Sequence, residues 1–238
     1  MLKSTVRRVA KRLGYQILGP AESFGAQKAL VGLLQQERIN LILDVGANIG
    51  QFAQGLRRAG YTERLMSFEP QASAHAQLTA LAAKDPKWVI AARTALGAES
   101  GVITMHTSGN SASSSILPML TSHVEAAPES SYVGTENVPI ARLDDILSIT
   151  PGDRVMLKID VQGYERRVLD GGPRVLANCR ALILEMSLIP LYEGQTLALQ
   201  FWGLLEAAGF DIWSLEPGFR DPRSGRMLQM DGLFVRRG

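Results

Sequence analysis

The sequence predicts an α/β fold in which a mainly parallel sheet carries helices on both faces. Short apolar segments rich in β-branched residues alternate with longer stretches rich in alanine and leucine, the pattern of strands that alternate with helices. The first of these strands, residues 41–45, is apolar at four of five positions, as expected for a strand buried on both faces. A chain of 238 residues is long enough to bury one core of this kind.

The predicted elements follow the chain in order. Strands 41–45, 64–68 and 88–92 alternate with helices 50–59 and 71–83. Strands 155–159 and 181–185 enclose a helix that starts near Tyr164, and strands 210–215 and 232–235 complete the sheet. A further helix, 196–208, ends at Gly209, a residue typical of helix C-termini.

Residues 101–140 interrupt this alternation. Short extended segments, 102–106 and 138–140, flank a stretch rich in serine, glycine and alanine over 107–137. A loop of that length within a compact domain is usually functional or disordered. Because neither a repeat nor a linker is found, we expect a basic N-terminal helical segment, 1–40, and one domain, 41–238, with an insertion at about 101–140.

The positive charge is concentrated at the start of the chain. Residues 1–20 carry +5, and the remaining residues carry −3 because the whole chain carries +2. An acidic body is not expected to bind nucleic acid. The basic segment has apolar residues near helical spacing, so it either packs on the domain edge or makes weak contact with an anionic membrane surface. The single cysteine, Cys179, excludes an intramolecular disulfide and fits a cytoplasmic protein.

A glycine-bearing turn, Gly46-Ala47-Asn48-Ile49-Gly50, follows the first strand, and Asp44 stands before it. Ligands of open α/β sheets bind beyond the carboxyl ends of the strands, where such a turn lets backbone amides approach them. The spacing is Gly-x-x-x-Gly, whereas dinucleotide sites use Gly-x-Gly-x-x-Gly. An anion here suits a ligand with an ammonium and a sulfonium better than one with phosphates. The turn therefore favours S-adenosylmethionine, whose carboxylate can use the turn amides.

The second strand ends at Glu69, which Pro70 follows. An acidic side chain at this position can accept hydrogen bonds from both ribose hydroxyls of an adenosine. We therefore expect one cofactor site, formed by Asp44, Gly46, Ala47, Asn48, Gly50, Glu69 and Pro70 together with Asp160, which ends a later strand.

With these residues, the run Leu-Lys-Ile-Asp-Val-Gln-Gly-Tyr-Glu over 157–165 resembles the FkbM family of methyltransferases. The resemblance extends from about Leu41 to Leu191 and takes in segments 95–97, 110–114, 138–144 and 184–187. It implies a seven-stranded, Rossmann-like class I methyltransferase sheet and methyl transfer to oxygen, commonly on a sugar or polyketide-derived acceptor. The family often has glutamate at the position of Gln162, and this departure argues against a charged role there.

Four side chains are candidates for catalysis. Asp160 and Glu185 end central strands at the same crevice, and an alcohol acceptor needs a general base or a metal ion. Asp160 is the first candidate for proton handling, with an N-cap role as the alternative. Lys158, on the same strand face, either pairs with a site carboxylate or extends to the sheet edge. His106, which ends a strand at the insertion, is a candidate base.

Two further groups of polar residues have two interpretations each. Ser111, Ser113, Ser114 and Ser115 either line the site as a lid or belong to a flexible loop, and Tyr192 and Glu193 either border the acceptor or pack. Glu165 is expected to interact with a helix dipole and Asp144 to cap a short helix. His75 and His123 are expected on a helix surface and in a loop. No ligand spacing indicates a divalent metal, although carboxylates able to bind one are present.

The sequence thus predicts an S-adenosylmethionine-dependent O-methyltransferase that acts on a hydroxyl of a sugar, a polysaccharide precursor or a related natural product. Its partner would be a small-molecule or glycan acceptor. Two alternatives stay open: an NAD(P)-dependent oxidoreductase on a doubly wound sheet, and a catalytically idle domain of the methyltransferase fold.

Overall fold

The computed structural model describes residues 20–238, and the side chains from residue 26 onward. The helices are α1 (Pro20–Gln36), α2 (Gln51–Ala59), α3 (Ala72–Ala82), α4 (Thr121–Ala126), α5 (Leu143–Ile146), α6 (Glu165–Asp170), α7 (Pro173–Asn178) and α8 (Ala198–Ala207). The strands are β1 (Leu41–Val45), β2 (Arg64–Phe68), β3 (Trp88–Ile90), β4 (Ala95–Leu96), β5 (Gly101–Ser108), β6 (Tyr132–Ala141), β7 (Val155–Ile159), β8 (Cys179–Ser187), β9 (Phe210–Pro217) and β10 (Gln229–Arg236).

Seven of these strands form the central sheet, in the order β3-β2-β1-β7-β8-β10-β9. Strand β10 is antiparallel to both of its neighbours, and the other pairs in this sheet are parallel. This confirms the predicted seven-stranded, mainly parallel sheet of the class I methyltransferase type. Within the described chain, no helix is long and apolar enough to span a bilayer.

The two faces of the sheet are covered by different helices, and β1 shows how the sequence achieves this. Every residue of β1 is buried, and side chains alternate between the faces of a strand. Leu41, Leu43 and Val45 pack in the core on the side of α6 to α8. Ile42 packs on the other side, against α1 to α3. A strand apolar on both faces therefore occupies the centre of the sheet.

The strand order reverses at β1, which pairs in parallel with β2 on one side and with β7 on the other. Ligands of open α/β sheets bind at such a switch point, beyond the carboxyl ends of the strands. Asp44 lies directly beside Lys158 in the β1–β7 register. The fold thus brings together two of the predicted site residues that are 114 positions apart.

The insertion at 101–140 is not a long loop, and the expectation for 107–137 is wrong in this respect. Strands β5 and β6 pair antiparallel and form a three-stranded sheet with β4. Helix α4 and a short 3-10 turn lie between them. Hydrogen bonds among small polar residues order the serine-rich stretch, such as Ser113 Oγ to Ser130 Oγ at 3.1 Å. Polar composition alone did not indicate this order.

The N-terminal expectation is testable only in part. Residues 20–36 are helical. The basic residues of 1–19, and with them the predicted contact with a membrane surface, lie outside the described residues.

Candidate functional site

A cavity of about 460 Å³ opens at the carboxyl ends of β1, β2, β7 and β8. One end is lined by the turn after β1, by the residues after β2 and by β4. The other end is lined by the residues after β7, by Glu185, and by residues from the insertion and the β9–β10 connection. The sheet therefore forms the floor of the cavity, and two separate segments form its roof.

The turn after β1 is shaped by its first glycine. Gly46 has a φ of 77°, a region that favours glycine, and a Cβ atom there would lie 1.8 Å from the carbonyl oxygen of Asp160. The absence of a side chain at Gly46 therefore allows the ends of β1 and β7 to approach each other. Gly50 likewise has a positive φ, 87°, and stands at the start of α2, as predicted.

The amides of this turn are used inside the protein. Gly46 N and Ala47 N both donate to the carbonyl of Phe68 at 3.1 Å, and Gly50 N donates to Ala47 at 2.9 Å. Asn48 N donates to Glu69 Oε2 at 2.8 Å. The turn folds back on the end of β2, so these amides are not available to a cofactor carboxylate, and that expectation is corrected.

Glu69 connects the two segments at this end of the cavity. Its other oxygen, Oε1, accepts a hydrogen bond from Gln71 N at 2.8 Å. Burial raises the pKa of Glu69 to about 7, although the hydrogen bonds from Gln71 and Asn48 act in the opposite direction. Each carboxylate oxygen keeps a second lone pair, so Glu69 can still accept hydroxyl donors from the cavity.

Asp44 does not face the cavity, which corrects the charge argument made for it. Its side chain is fully buried, and Oδ1 lies 3.2 Å from Lys158 Nζ, while Ser67 donates to Oδ2 at 3.3 Å. Burial raises the pKa of Asp44, and the Lys158 ammonium opposes this. The carboxylate therefore neutralises a buried lysine and does not meet a cationic ligand directly.

Lys158 lines the cavity and pairs with site carboxylates, as one of its two interpretations predicts. Its ammonium lies 3.4 Å from Asp160 Oδ2 and donates to the Gly46 carbonyl at 3.4 Å. Burial alone would lower the pKa of Lys158, but the charges of Asp44 and Asp160 raise it above the usual value. The ammonium therefore persists and holds the ends of β1 and β7 together.

Asp160 and Glu185 meet at the other end of the cavity through one amide. Gln162 Nε2 donates to Asp160 Oδ1 at 2.9 Å and to Glu185 Oε2 at 2.7 Å. Tyr192 donates its hydroxyl to Gln162 Oε1 at 2.9 Å, and Gln229 Nε2 donates to Glu185 Oε2 at 2.9 Å. We call Asp160, Gln162 and Glu185 the carboxylate cluster. The predicted convergence of the two carboxylates is present, and Gln162 has a neutral bridging role.

The two carboxylates of the cluster have different surroundings. Burial raises the pKa of Glu185 well above its usual range, and the negative charge of Asp160 raises it further. The Asp160 side chain is 36% exposed and lies beside the Lys158 ammonium. A buried acid with a raised pKa and a more accessible carboxylate thus share one bridging amide.

The histidine predictions are only partly correct. His106 is not among the cavity-lining residues of the described chain, and its ring stacks on Tyr132 with centroids 4.7 Å apart. That geometry gives His106 a packing role in the insertion sheet. His75 lies on α3 and its Nε2 donates to the Ala91 carbonyl at 2.9 Å. His123, expected in a loop, lies on α4, is 3% exposed and lines the cavity.

The predicted serines belong to an ordered cavity wall. Ser114 donates to Gln71 Oε1 at 3.1 Å, and Gln71 Nε2 donates to the Ser111 carbonyl at 2.9 Å. Ser115 donates to the Gln162 carbonyl at 2.6 Å. These bonds attach the insertion to the cofactor side and to the carboxylate cluster, so the lining interpretation agrees with the structure and the flexible-loop interpretation does not.

Two other predicted residues cap neighbouring backbone. Asp144 accepts hydrogen bonds from Arg174 N and Val175 N, both at 3.0 Å, and so caps the N-terminus of α7. Glu165 is buried and accepts from Val161 N and Gly163 N at 3.1 and 3.0 Å. Burial raises the pKa of Glu165 to about 7. Its main role is to fix the turn after β7, in place of the expected helix-dipole role.

Gln229, Phe219 and His123 are among the cavity residues that sequence reasoning missed. Gln229 begins β10, three residues before the predicted start of that strand, and an antiparallel strand begins at the functional edge. An earlier strand start would have identified it. Phe219 lies in an irregular segment and His123 on the short helix α4, so no periodicity indicates the position of either residue.

Comparison with known proteins identifies the family. A model of the methyltransferase FkbM domain matches residues 44–212. The chain belongs to the FkbM methyltransferase family. Membership gives the S-adenosylmethionine requirement a basis independent of the charge of Asp44, and it removes support for a nicotinamide-dependent oxidoreductase. Curated proteins give no match to the chain.

Solved structures show distant similarity to this FkbM protein. The magnesium protoporphyrin IX methyltransferase of Synechocystis PCC 6803, solved with bound S-adenosylmethionine, is 13% identical with a TM-score of 0.46, over 100% of this chain and 92% of that one. An rRNA methylase of Streptococcus thermophilus is 10% identical with a TM-score of 0.48, over 94% and 99% of the two chains. Similarity at this level does not indicate the acceptor.

The cofactor end of the cavity fits S-adenosylmethionine. The side-chain oxygen of Asn48 is buried without a hydrogen-bond partner in the described chain, so it can accept from an ammonium or a hydroxyl. Glu69 lies beside it, and Phe68, Pro70 and Leu96 give an apolar wall for an adenine ring. Within residues 20–238, no cluster of three or more histidine, cysteine or acidic side chains is placed to hold a metal ion.

Proposed function

We propose that this FkbM protein is an S-adenosylmethionine-dependent O-methyltransferase whose acceptor is a hydroxyl of a sugar, a polysaccharide precursor or a related natural product. The observation that supports O-methylation is the carboxylate cluster, which lies in the same cavity as Asn48 and Glu69. The predicted cytoplasmic location stays a prediction.

The chemistry requires little from the protein beyond position and proton handling. S-adenosylmethionine supplies an activated methyl group, and the acceptor oxygen must reach it at about 3 Å. An alcohol holds its proton tightly at neutral pH, so it needs a base as its oxygen attacks. We assign this role to Asp160, because it is the accessible carboxylate of the cluster.

Glu185 has a supporting role in this scheme. Its raised pKa favours the protonated form, which can donate a hydrogen bond to the acceptor or to Asp160. Gln162 fixes the distance between the two acids, because one amide nitrogen bonds to both. Lys158 balances the negative charge of Asp44 and Asp160 and so keeps the site from carrying two unpaired carboxylates.

The acceptor class is inferred from the charge of the chain and from the polar residues that line the cavity. Residues 21–238 carry −3 in total, which argues against a nucleic acid. Hydroxyl groups of a carbohydrate find partners in the polar wall of Ser113, Ser114 and Gln229. The resemblance to FkbM methyltransferases of sugars and polyketides favours the same class.

The test is methyl transfer from radiolabelled S-adenosylmethionine to a panel of sugars, sugar nucleotides, polyols, amines and RNA. In Asp160→Asn, we expect turnover on the best hydroxyl acceptor to fall about 100-fold or more, because general base catalysis contributes at least that factor. Binding of S-adenosylhomocysteine should be retained. Asp211→Asn is the matched control, because its side chain is 67% exposed and lies on β9.

Each alternative has its own outcome in this experiment. Methylation of amines or RNA but not of hydroxyls would contradict O-methylation. Binding of S-adenosylhomocysteine without transfer to any acceptor would support the catalytically idle domain. Unchanged turnover in Asp160→Asn would remove the base assignment and leave the acceptor class standing.

A further inference from the structure

His123 is a buried side chain of the cavity that the proposed reaction does not use. It lies on α4 in the insertion, is 3% exposed and lines the end of the cavity that contains Glu185. Its ring makes an edge contact with Tyr192, with centroids 5.1 Å apart, and lies 5.3 Å from the ring of Phe219. Tyr192 in turn donates its hydroxyl to Gln162, so His123 is one residue removed from the carboxylate cluster.

The imidazole of His123 is not satisfied by the protein. Its Nδ1 is buried and has no hydrogen-bond partner in the described part of the chain. Buried polar atoms almost always have a partner, and an unpaired one carries a desolvation cost. A ring that served only for packing in this aromatic pocket could be phenylalanine, which has no polar atom to desolvate. The imidazole therefore indicates a hydrogen bond to a molecule that enters the cavity.

The surroundings of His123 favour a role in binding over a role as a general base. The rings that face it, Tyr192 and Phe219, carry no charge, and Glu125 on the same helix pairs with Arg223 at the surface. Burial lowers the pKa of His123 to about 4. A group with that pKa is neutral at pH 7 and a weak base, and a neutral imidazole does not attract a phosphate or carboxylate.

The wall that carries His123 is held in place by packing. Ala126, Leu191, Tyr192 and Leu228 form a buried cluster that joins α4 to the segments after β8 and before β10. Leu120 N donates to the Leu191 carbonyl at 2.9 Å at the start of the same helix. The position of the imidazole is therefore fixed before a ligand arrives, as a specificity site requires.

We propose that His123 determines acceptor specificity by hydrogen bonding to an uncharged hydroxyl group of the acceptor, at a position other than the one methylated. The aromatic rings of Phe219 and Tyr192 flank this subsite and offer apolar surface to the ring that carries the hydroxyl. This inference rests on the proposed O-methylation and adds that the part of the acceptor next to His123 is neutral.

The test compares two variants on the hydroxyl acceptor that gives the highest turnover with the wild-type protein. His123→Phe keeps a ring and removes both nitrogens, whereas His123→Asn retains a polar group near the position of Nδ1, the unpaired atom. We expect His123→Phe to raise KM for the acceptor about tenfold with kcat within about threefold of the wild type, the sign of a lost binding contact. His123→Asn should recover most of that loss.

Controls separate this effect from a loss of structure. S-adenosylhomocysteine affinity should be unchanged in both variants, and His75→Gln, on α3, should leave KM and kcat unaltered. An analogue of the acceptor that lacks the bonded hydroxyl should bind His123→Phe and the wild type equally well.

The outcomes distinguish the inference from the function on which it rests. An unchanged KM in His123→Phe, or a fall in kcat as large as that of Asp160→Asn, would overturn the specificity role. Failure of the His123→Asn rescue would assign the effect to packing and overturn it too. A wild-type protein that methylates no hydroxyl acceptor would instead remove the proposed function, and this inference with it.

Discussion

Removal of the buried ammonium of Lys158 should cost the protein much of its stability. In Lys158→Met the side chain keeps its apolar stem but leaves Asp44 without its cation. Asp44 is fully buried, and its remaining side-chain partner is the hydroxyl of Ser67 at 3.3 Å. The variant therefore contains an uncompensated carboxylate at the centre of the sheet.

The size of the effect follows from the burial of both partners. Loss of one partner of a buried ion pair costs about 3–5 kcal/mol, whereas loss of an exposed pair costs about 0–1 kcal/mol. Lys158 is 11% exposed and Asp44 is 0% exposed, so the first range applies. The hydroxyl of Ser67 offsets part of the cost, and we expect about 3 kcal/mol at pH 8.

Urea denaturation followed by circular dichroism measures this difference. Lys87→Met is the control, because Lys87 is 53% exposed and pairs with Glu63 at the surface. The double variant Asp44→Asn/Lys158→Met should recover most of the lost stability, because it removes both charges. The reasoning is refuted if Lys158→Met lies within about 1 kcal/mol of Lys87→Met, or if the double variant is no more stable than Lys158→Met.

The same variant should respond to pH in a defined direction. Without Lys158, burial leaves the pKa of Asp44 above its unfolded value of 3.8. The folded state then binds more protons than the unfolded state over the interval between the two pKa values, so stability falls as pH rises through it. The penalty of Lys158→Met should therefore be smaller at pH 5 than at pH 8.

Two further predictions concern the ends of the cavity. Glu69 has a pKa of about 7, so if it accepts ribose hydroxyls in its ionised form, S-adenosylhomocysteine should bind about tenfold more weakly at pH 6 than at pH 8. Calorimetry across this pH range measures the affinity. An affinity that does not change with pH would argue against Glu69 as a cofactor ligand. His106→Gln should keep kcat within about threefold of the wild type, because the ring of His106 stacks on Tyr132 away from the cavity wall. A loss of kcat near 100-fold in a methyl-transfer assay would instead support His106 as a general base.

The parts of the site that lie at strand ends could be predicted from the sequence. The carboxyl ends of parallel strands meet at one edge of a sheet, so Glu69, Asp160 and Glu185 had to converge once their strands were identified. The pairing of Asp44 with Lys158 could not be predicted as definitely. It depends on β1 and β7 being neighbours in register, which is a property of the strand order and not of either segment.

Residues of the insertion could not be placed from periodicity. His123 was expected in a loop because its stretch of the insertion is short, polar and without an apolar repeat. Its burial results from packing of α4 against Leu191 and Leu228, which are distant in sequence. His106 was expected at the site because it ends an apolar segment, but that segment belongs to the small second sheet.

The reversed direction of β10 has an evolutionary consequence. Because β10 begins at the functional edge, the connection 218–228 projects over the acceptor end, where Phe219 lines the cavity. The other contribution to this wall, α4, comes from the insertion, and neither segment contains the turn at Gly46 or Glu69. Changes of length or composition in these two segments can alter which acceptor fits while the methyl donor is held as before. The residues that bind the methyl donor can therefore stay the same while the segments that contact the acceptor change.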